Sequence, residues 1–101
     1  MSRGKAERLF YSREDLGNGT VIELRLWKVP EPAPPSEHGF KYALFYGRPG
    51  ERLVLFDNER GKGDHYHICE VERPYAFTTP EKLIADFLDA VRVFKQEEGN
   101  G

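Results

Sequence analysis

Apolar and polar residues alternate along much of this chain, which is the period of a half-buried strand. From Thr20 to Val29 the residues Ile22, Leu24 and Leu26 fall on one side and Glu23, Arg25 and Trp27 on the other, so this stretch predicts a strand with one core face. Glu7 to Leu16 predicts a first strand with imperfect alternation, Leu9 and Tyr11 on one face and Arg8 and Phe10 on the other. Gly17-Asn18-Gly19 joins the two as a hairpin turn, because these residues tolerate positive φ. Phe40 to Gly47 gives a third strand with Phe40, Tyr42, Leu44 and Tyr46 on one face. Arg48-Pro49-Gly50-Glu51 is a turn, and Arg52 to Phe56 a fourth strand that is apolar on both faces. His65 to Cys69 gives a short fifth strand, with His65 and His67 on one face and Tyr66 and Ile68 on the other.

Between the second and third strands, the stretch from Pro30 to Gly39 is an extended loop, since its prolines remove ladder donors. Glu70 to Tyr75 reads as a connection. A helix begins at Thr79-Pro80-Glu81: Thr79 caps, Pro80 suits the first helical position, and Glu81 meets the positive end of the dipole. Leu83, Ile84, Phe87, Leu88, Val91 and Phe94 recur at helical spacing as one apolar stripe. The expected fold class is therefore α+β: an antiparallel β-meander of four to five strands with one C-terminal amphipathic helix packed on one face. The other face, with Trp27 and Arg25, is left for a ligand or partner. Residues 1–101 are expected to be a single domain, with 1–5 and 97–101 as disordered tails.

Composition narrows the function classes. The formal net charge is −2, so contact with a polyanion must come from a local basic patch. Cys69 is the single cysteine, which excludes an intrachain disulfide and fits a reducing compartment. No apolar run is long enough to span a bilayer and the first residues lack the apolar core of a secretion signal, so the expectation is a cytoplasmic protein with no membrane contact.

The densest chemistry lies in Asp57-Asn58-Glu59-Arg60-Gly61-Lys62-Gly63-Asp64-His65-Tyr66-His67. Two histidines on one face can serve as acid and base around a phosphodiester. In that scheme Arg60 and Lys62 neutralise charge on the phosphoryl oxygens, and the RNA 2′-hydroxyl is the nucleophile. Asp57 or Asp64 orients an imidazole tautomer, and Glu59 and Tyr66 are supporting residues. No cofactor is needed. His65, His67 and Asp64 also offer a metal alternative, but two imidazoles on a strand are one ligand short of a catalytic zinc set. Gly61-Lys62-Gly63 is not a P-loop, because the Gly-x-x-x-x-Gly-Lys-Ser/Thr pattern is absent. Cys69 is expected to be a small core residue. Trp27, Arg25 and Tyr46 can stack bases, or serve as core or as a homodimer contact.

On that central motif the chain resembles the TumE-type toxins of prokaryotic toxin–antitoxin systems. The likeness extends to Trp27-Lys28-Val29-Pro30 with its Pro-rich loop, Tyr42-Ala43-Leu44, Pro74-Tyr75-Ala76-Phe77, and Leu83, Asp86 and Phe87 of the helix. It implies a two-gene module in which this chain is the toxin and a DNA-binding antitoxin neutralises it. By analogy with other small toxins it implies RNA cleavage. The chain departs from the pattern at Tyr66, where relatives often carry a basic residue, and at Cys69-Glu70, where a glycine often follows. The leading expectation is a metal-independent endoribonuclease toxin using His65, His67, Arg60 and Lys62. The alternatives are a non-catalytic protein- or nucleic-acid-binding module and a metal-dependent hydrolase.

Overall fold

A computed structural model describes residues 6–32, 34–59 and 61–99. Six strands form one sheet: β1 (Glu7–Asp15), β2 (Val21–Lys28), β3 (Phe40–Arg48), β4 (Glu51–Glu59), β5 (Gly63–Ile68) and β6 (Val71–Pro74). Their order in the sheet is their order in the chain, and every neighbouring pair is antiparallel. One helix, α1 (Pro80–Gly99), follows. The α+β meander with a covering helix is as the alternation predicts, but the sheet has six strands rather than four to five.

In β1 a bulge between Arg8 and Phe10 puts Arg8 on the face of Tyr11, where strict alternation would oppose them. The other differences from the expected strands lie around β5. The polar residues Asp57, Asn58 and Glu59 continue β4 instead of opening a loop, because each pairs with a residue of β5. Val71–Pro74, expected as a connection, pairs with β5 through a turn at Cys69 and Glu70. Cys69 holds φ at 55° in that turn and is exposed, so it is a turn residue and not a core one. Its N–H donates to the Leu53 carbonyl at 2.8 Å.

The core lies between the sheet and α1. Leu24, Leu26, Tyr42, Leu44, Tyr46, Val54 and Phe56 point from the sheet toward Leu83, Phe87 and Val91 of the helix. Phe56 meets Phe87 edge-on at 5.8 Å, and Tyr46 meets Phe94 the same way at 6.1 Å. The helix starts where its cap residues place it: the Lys82 N–H donates to Thr79 Oγ1 at 3.1 Å. It runs through Glu97 and Glu98 to Gly99. Leu88, grouped with the apolar stripe by spacing, is exposed. Among the described residues no helix is long and apolar enough to cross a membrane.

Candidate functional site

The β4–β5 hairpin brings the chemistry together. Gly61 and Gly63 hold φ at 91° and 80°, in the region glycine enters without a Cβ clash, and this turns the chain tightly enough to pair Asp57 with His65. The Pro-rich loop backs this turn: the Gly61 N–H donates to the Pro34 carbonyl at 2.8 Å. Alternation then sorts the motif onto two faces. Asp57, His65 and His67 point away from the helix, and Asn58, Asp64 and Tyr66 point toward it.

On the helix-free face, β6 adds Glu72 directly opposite His67. His65 Nε2 stands 2.7 Å from Asp57 Oδ1, and His67 Nε2 stands 3.3 Å from Glu72 Oε1. The two imidazoles meet edge-on with their centres 5.0 Å apart. Both rings are buried, at 4% and 6% exposure. His65 Nδ1 lies 2.9 Å from the Gly63 carbonyl, which can only accept, so Nδ1 carries a proton and Nε2 is the atom that faces Asp57. Asp57 Oδ1 is buried and takes no hydrogen bond among the described residues. Burial pushes the Asp57 carboxyl above the usual aspartate range, only partly offset by His65. Burial, with Arg52 nearby, holds His67 below the usual imidazole value, and Glu72 pulls the other way. Lys62 Nζ reaches Glu72 Oε1 at 4.0 Å, and both side chains are half-exposed at the rim of the cluster.

The remaining residues singled out from the sequence are dispersed. Arg60 lies outside the described residues. Glu59 is exposed at the end of β4. Tyr66 stacks on Phe56 at 5.1 Å, on the core side. Asp64 is separated from His65 and His67 by the thickness of the sheet, so the metal set that joined these three does not assemble.

Asp64 instead anchors a second cluster on the helix side. It accepts from Tyr42 Oη at 2.7 Å, from Ser36 Oγ, and from His38 Nε2 at 2.6 Å. His38 Nδ1 accepts from the Phe40 N–H, which leaves the ring proton on Nε2, facing the carboxylate. The His38 ring stacks on Phe77 at 3.9 Å. Burial raises Asp64, but the three side-chain hydrogen bonds outweigh it and hold the carboxyl below the usual range. Burial and the bond to Asp64 push the Tyr42 hydroxyl up. An open cavity of about 370 Å³ adjoins Ser36, His38, Asp64 and Phe77. Every polar group of this cluster is engaged within it, so it fastens the Pro-rich loop to the sheet. The sequence gives no spacing signal that would have joined Ser36 and His38 to Asp64.

The helix-free face has a further order. Strand register aligns Tyr11, Arg25, Ala43, Asp57 and His65 in one row across the sheet. Arg13, Glu23, Phe45, Leu55, His67 and Glu72 run beside it, and Arg8, Trp27 and Lys41 lie on the other flank. Cationic and aromatic side chains therefore share the face of the two histidines.

Compared with known proteins, the chain matches the family model described as Toxin TumE over residues 5–94. No curated protein and no solved structure is similar enough to the chain to count as a match.

Proposed function

The chain belongs to the TumE toxin family, and we propose that it is the toxin of a two-protein module and cuts RNA at the Asp57–His65–His67–Glu72 cluster. The observation that carries this reading is the shared face. Neighbouring strands stand about 4.8 Å apart, so Arg25 lies roughly 10 Å from Asp57 along one row, a span that single-stranded RNA crosses easily. Arg25 is exposed and pairs with Glu23 at 2.9 Å, and Glu23 is shared with Tyr11 and Arg13, so a phosphate can take Arg25 while Glu23 keeps other partners. Trp27 flanks this path and Tyr11 stands at its far end, its ring paired with the Arg8 guanidinium; both are aromatic surfaces on which bases can stack. This local arrangement supplies what the overall charge of −2 does not. At the rim, Lys62 provides charge for the phosphoryl oxygens.

The geometry changes the expected division of labour. The ring nitrogens of His65 face Gly63 and Asp57, and His67 Nε2 faces Glu72. Such engaged rings fit ligands or positioning groups better than a free acid and base. The test is growth arrest on expression, together with cleavage of a single-stranded RNA by purified protein. Both should be lost in His67→Ala and reduced in an Arg25→Ala, Lys41→Ala double variant. Full activity in folded His67→Ala would remove the cluster from the reaction.

A second reading rests on the edge of the sheet. β1 pairs only with β2 among the described residues, and it exposes Leu9, Phe10 and Tyr11 at 45%, 43% and 47%. An unpaired edge with large apolar side chains suits an added strand from an antitoxin. Toxicity that survives loss of both histidines, with antitoxin binding abolished by Phe10→Lys, would favour a binding toxin over a nuclease.

A further inference from the structure

We propose that His65, His67 and Glu72, with Asp57 beside them, form a binding site for one divalent transition-metal ion of the zinc class. One ligand atom from each of His65, His67 and Glu72 falls within 4.8 Å of the other two. Four-coordinate zinc with bonds of about 2.1 Å places its ligand atoms about 3.4 Å apart, and the 3.3 Å between His67 Nε2 and Glu72 Oε1 already meets that edge. Two imidazoles and a carboxylate are a donor set for zinc and its neighbours rather than for magnesium or calcium, which take oxygen ligands.

The second observation is independent of that spacing. The Gly63 carbonyl fixes the Nδ1 proton of His65, the arrangement typical of metal-bound histidines, whose other nitrogen donates to a backbone carbonyl or carboxylate. Nε2 and Asp57 Oδ1 then face each other at 2.7 Å, and Oδ1 is buried with no other partner among the described residues. At that distance a proton bridges the two atoms, and an ion bonded to both at about 2.1 Å would part them to about 3.4 Å. What the contact supplies to the site is direction: Nε2 is the His65 atom turned into the cluster, with the Asp57 carboxylate beside it. The site is also prebuilt: three of its residues lie on paired positions of β4 and β5, and Glu72 is opposite His67 on β6. Binding displaces the weak exposed pair between Lys62 and Glu72, and any proton that His65 shares with Asp57 or His67 with Glu72.

The inference shares its residues with the ribonuclease reading and rests on it only for what the ion would do, so binding is read without RNA. The full chain, purified without a histidine tag and stripped with chelator, is titrated with zinc by calorimetry and with cobalt(II) by visible absorption. One ion per chain is expected. His67→Ala should weaken binding by about 100-fold or more, Glu72→Gln by about tenfold, and Cys69→Ser not at all. Glu72 is half-exposed on a short edge strand, so its variant keeps the test open if a histidine variant fails to fold. Absence of stoichiometric binding at micromolar zinc, or binding unchanged in both His67→Ala and Glu72→Gln, overturns the site; a proton-only bridge gives the first of these. Zinc binding by a chain that cuts no RNA keeps the metal site and sinks the ribonuclease reading. Cleavage by a chain that binds no zinc does the reverse.

Discussion

Asp57 Oδ1 and His65 Nε2 lie 2.7 Å apart in the buried half of a hairpin, and Oδ1 has no hydrogen bond among the described residues. Seven residues on, Asp64 is also partly buried but accepts from Ser36, Tyr42 and His38. The two carboxylates face opposite sides of one sheet and make opposite predictions.

Asp64→Asn removes the charged acceptor that three donors converge on. Hydrogen bonds to charged groups contribute about 1.5–3 kcal/mol each, and the donors left behind keep part of that, so a loss of about 2–4 kcal/mol is expected. Asp57→Asn removes a buried charge that is poorly compensated, and its effect should stay within about 1 kcal/mol. Urea unfolding of both variants in chelator measures the contrast.

Two glycines separate steric from conformational cost. A Cβ on Gly47 would lie 2.2 Å from the Glu51 carbonyl oxygen, a backbone atom that cannot step aside. Gly47→Ala should therefore cost more than about 2 kcal/mol. Gly50 has open space around it but holds φ at 76°, so Gly50→Ala should cost about 1–2 kcal/mol. Paired thermal melts would show whether Gly47 is the worse site.

Acid stability draws on the contact between α1 and the segment before it. Tyr75 Oη donates to Asp86 Oδ2 at 2.6 Å, and Lys82 adds a pair at 3.0 Å. The Tyr75 bond, with help from Lys82, holds the Asp86 carboxyl below the usual range. A lowered native pKa means that this stabilisation is complete above the unfolded value of about 3.9 and is lost as pH falls through the native value. Tyr75→Phe should destabilise the protein at pH 7, and the difference from wild type should narrow below about pH 3.9. A constant difference across that range would contradict the assignment.

RNA binding should report the basic face through salt. Each phosphate contact on a single strand contributes about 0.7 to the slope of log K against log salt. Arg25→Ala and Lys41→Ala should each lower the slope by about that amount, while an unchanged slope would place the RNA elsewhere.

Much of the architecture could be read from alternation. The period of two places His65 and His67 on one face, and the cap at Thr79 locates the helix. The same period separates Asp64 from its histidine neighbour, although adjacency in the chain groups them. Glu72 was hidden because Val71–Pro74 is short and ends in proline; it is a strand through its pairing with β5, a long-range fact. Asp57 stands out in the motif, but its place in a strand does not, since the segment reads as a polar loop and pairing with His65 overrides local propensity there. Ser36 and His38 lie in a loop without periodicity, so only the folded chain brings them to Asp64.

The most direct measurement is cleavage of single-stranded RNA by His67→Ala, with its fold checked by circular dichroism. Removing a ligand or positioning group of the cluster should slow cleavage by about 10–100-fold or more while the spectrum and melting curve stay those of a folded protein. Cleavage at the wild-type rate by the folded variant would contradict the account.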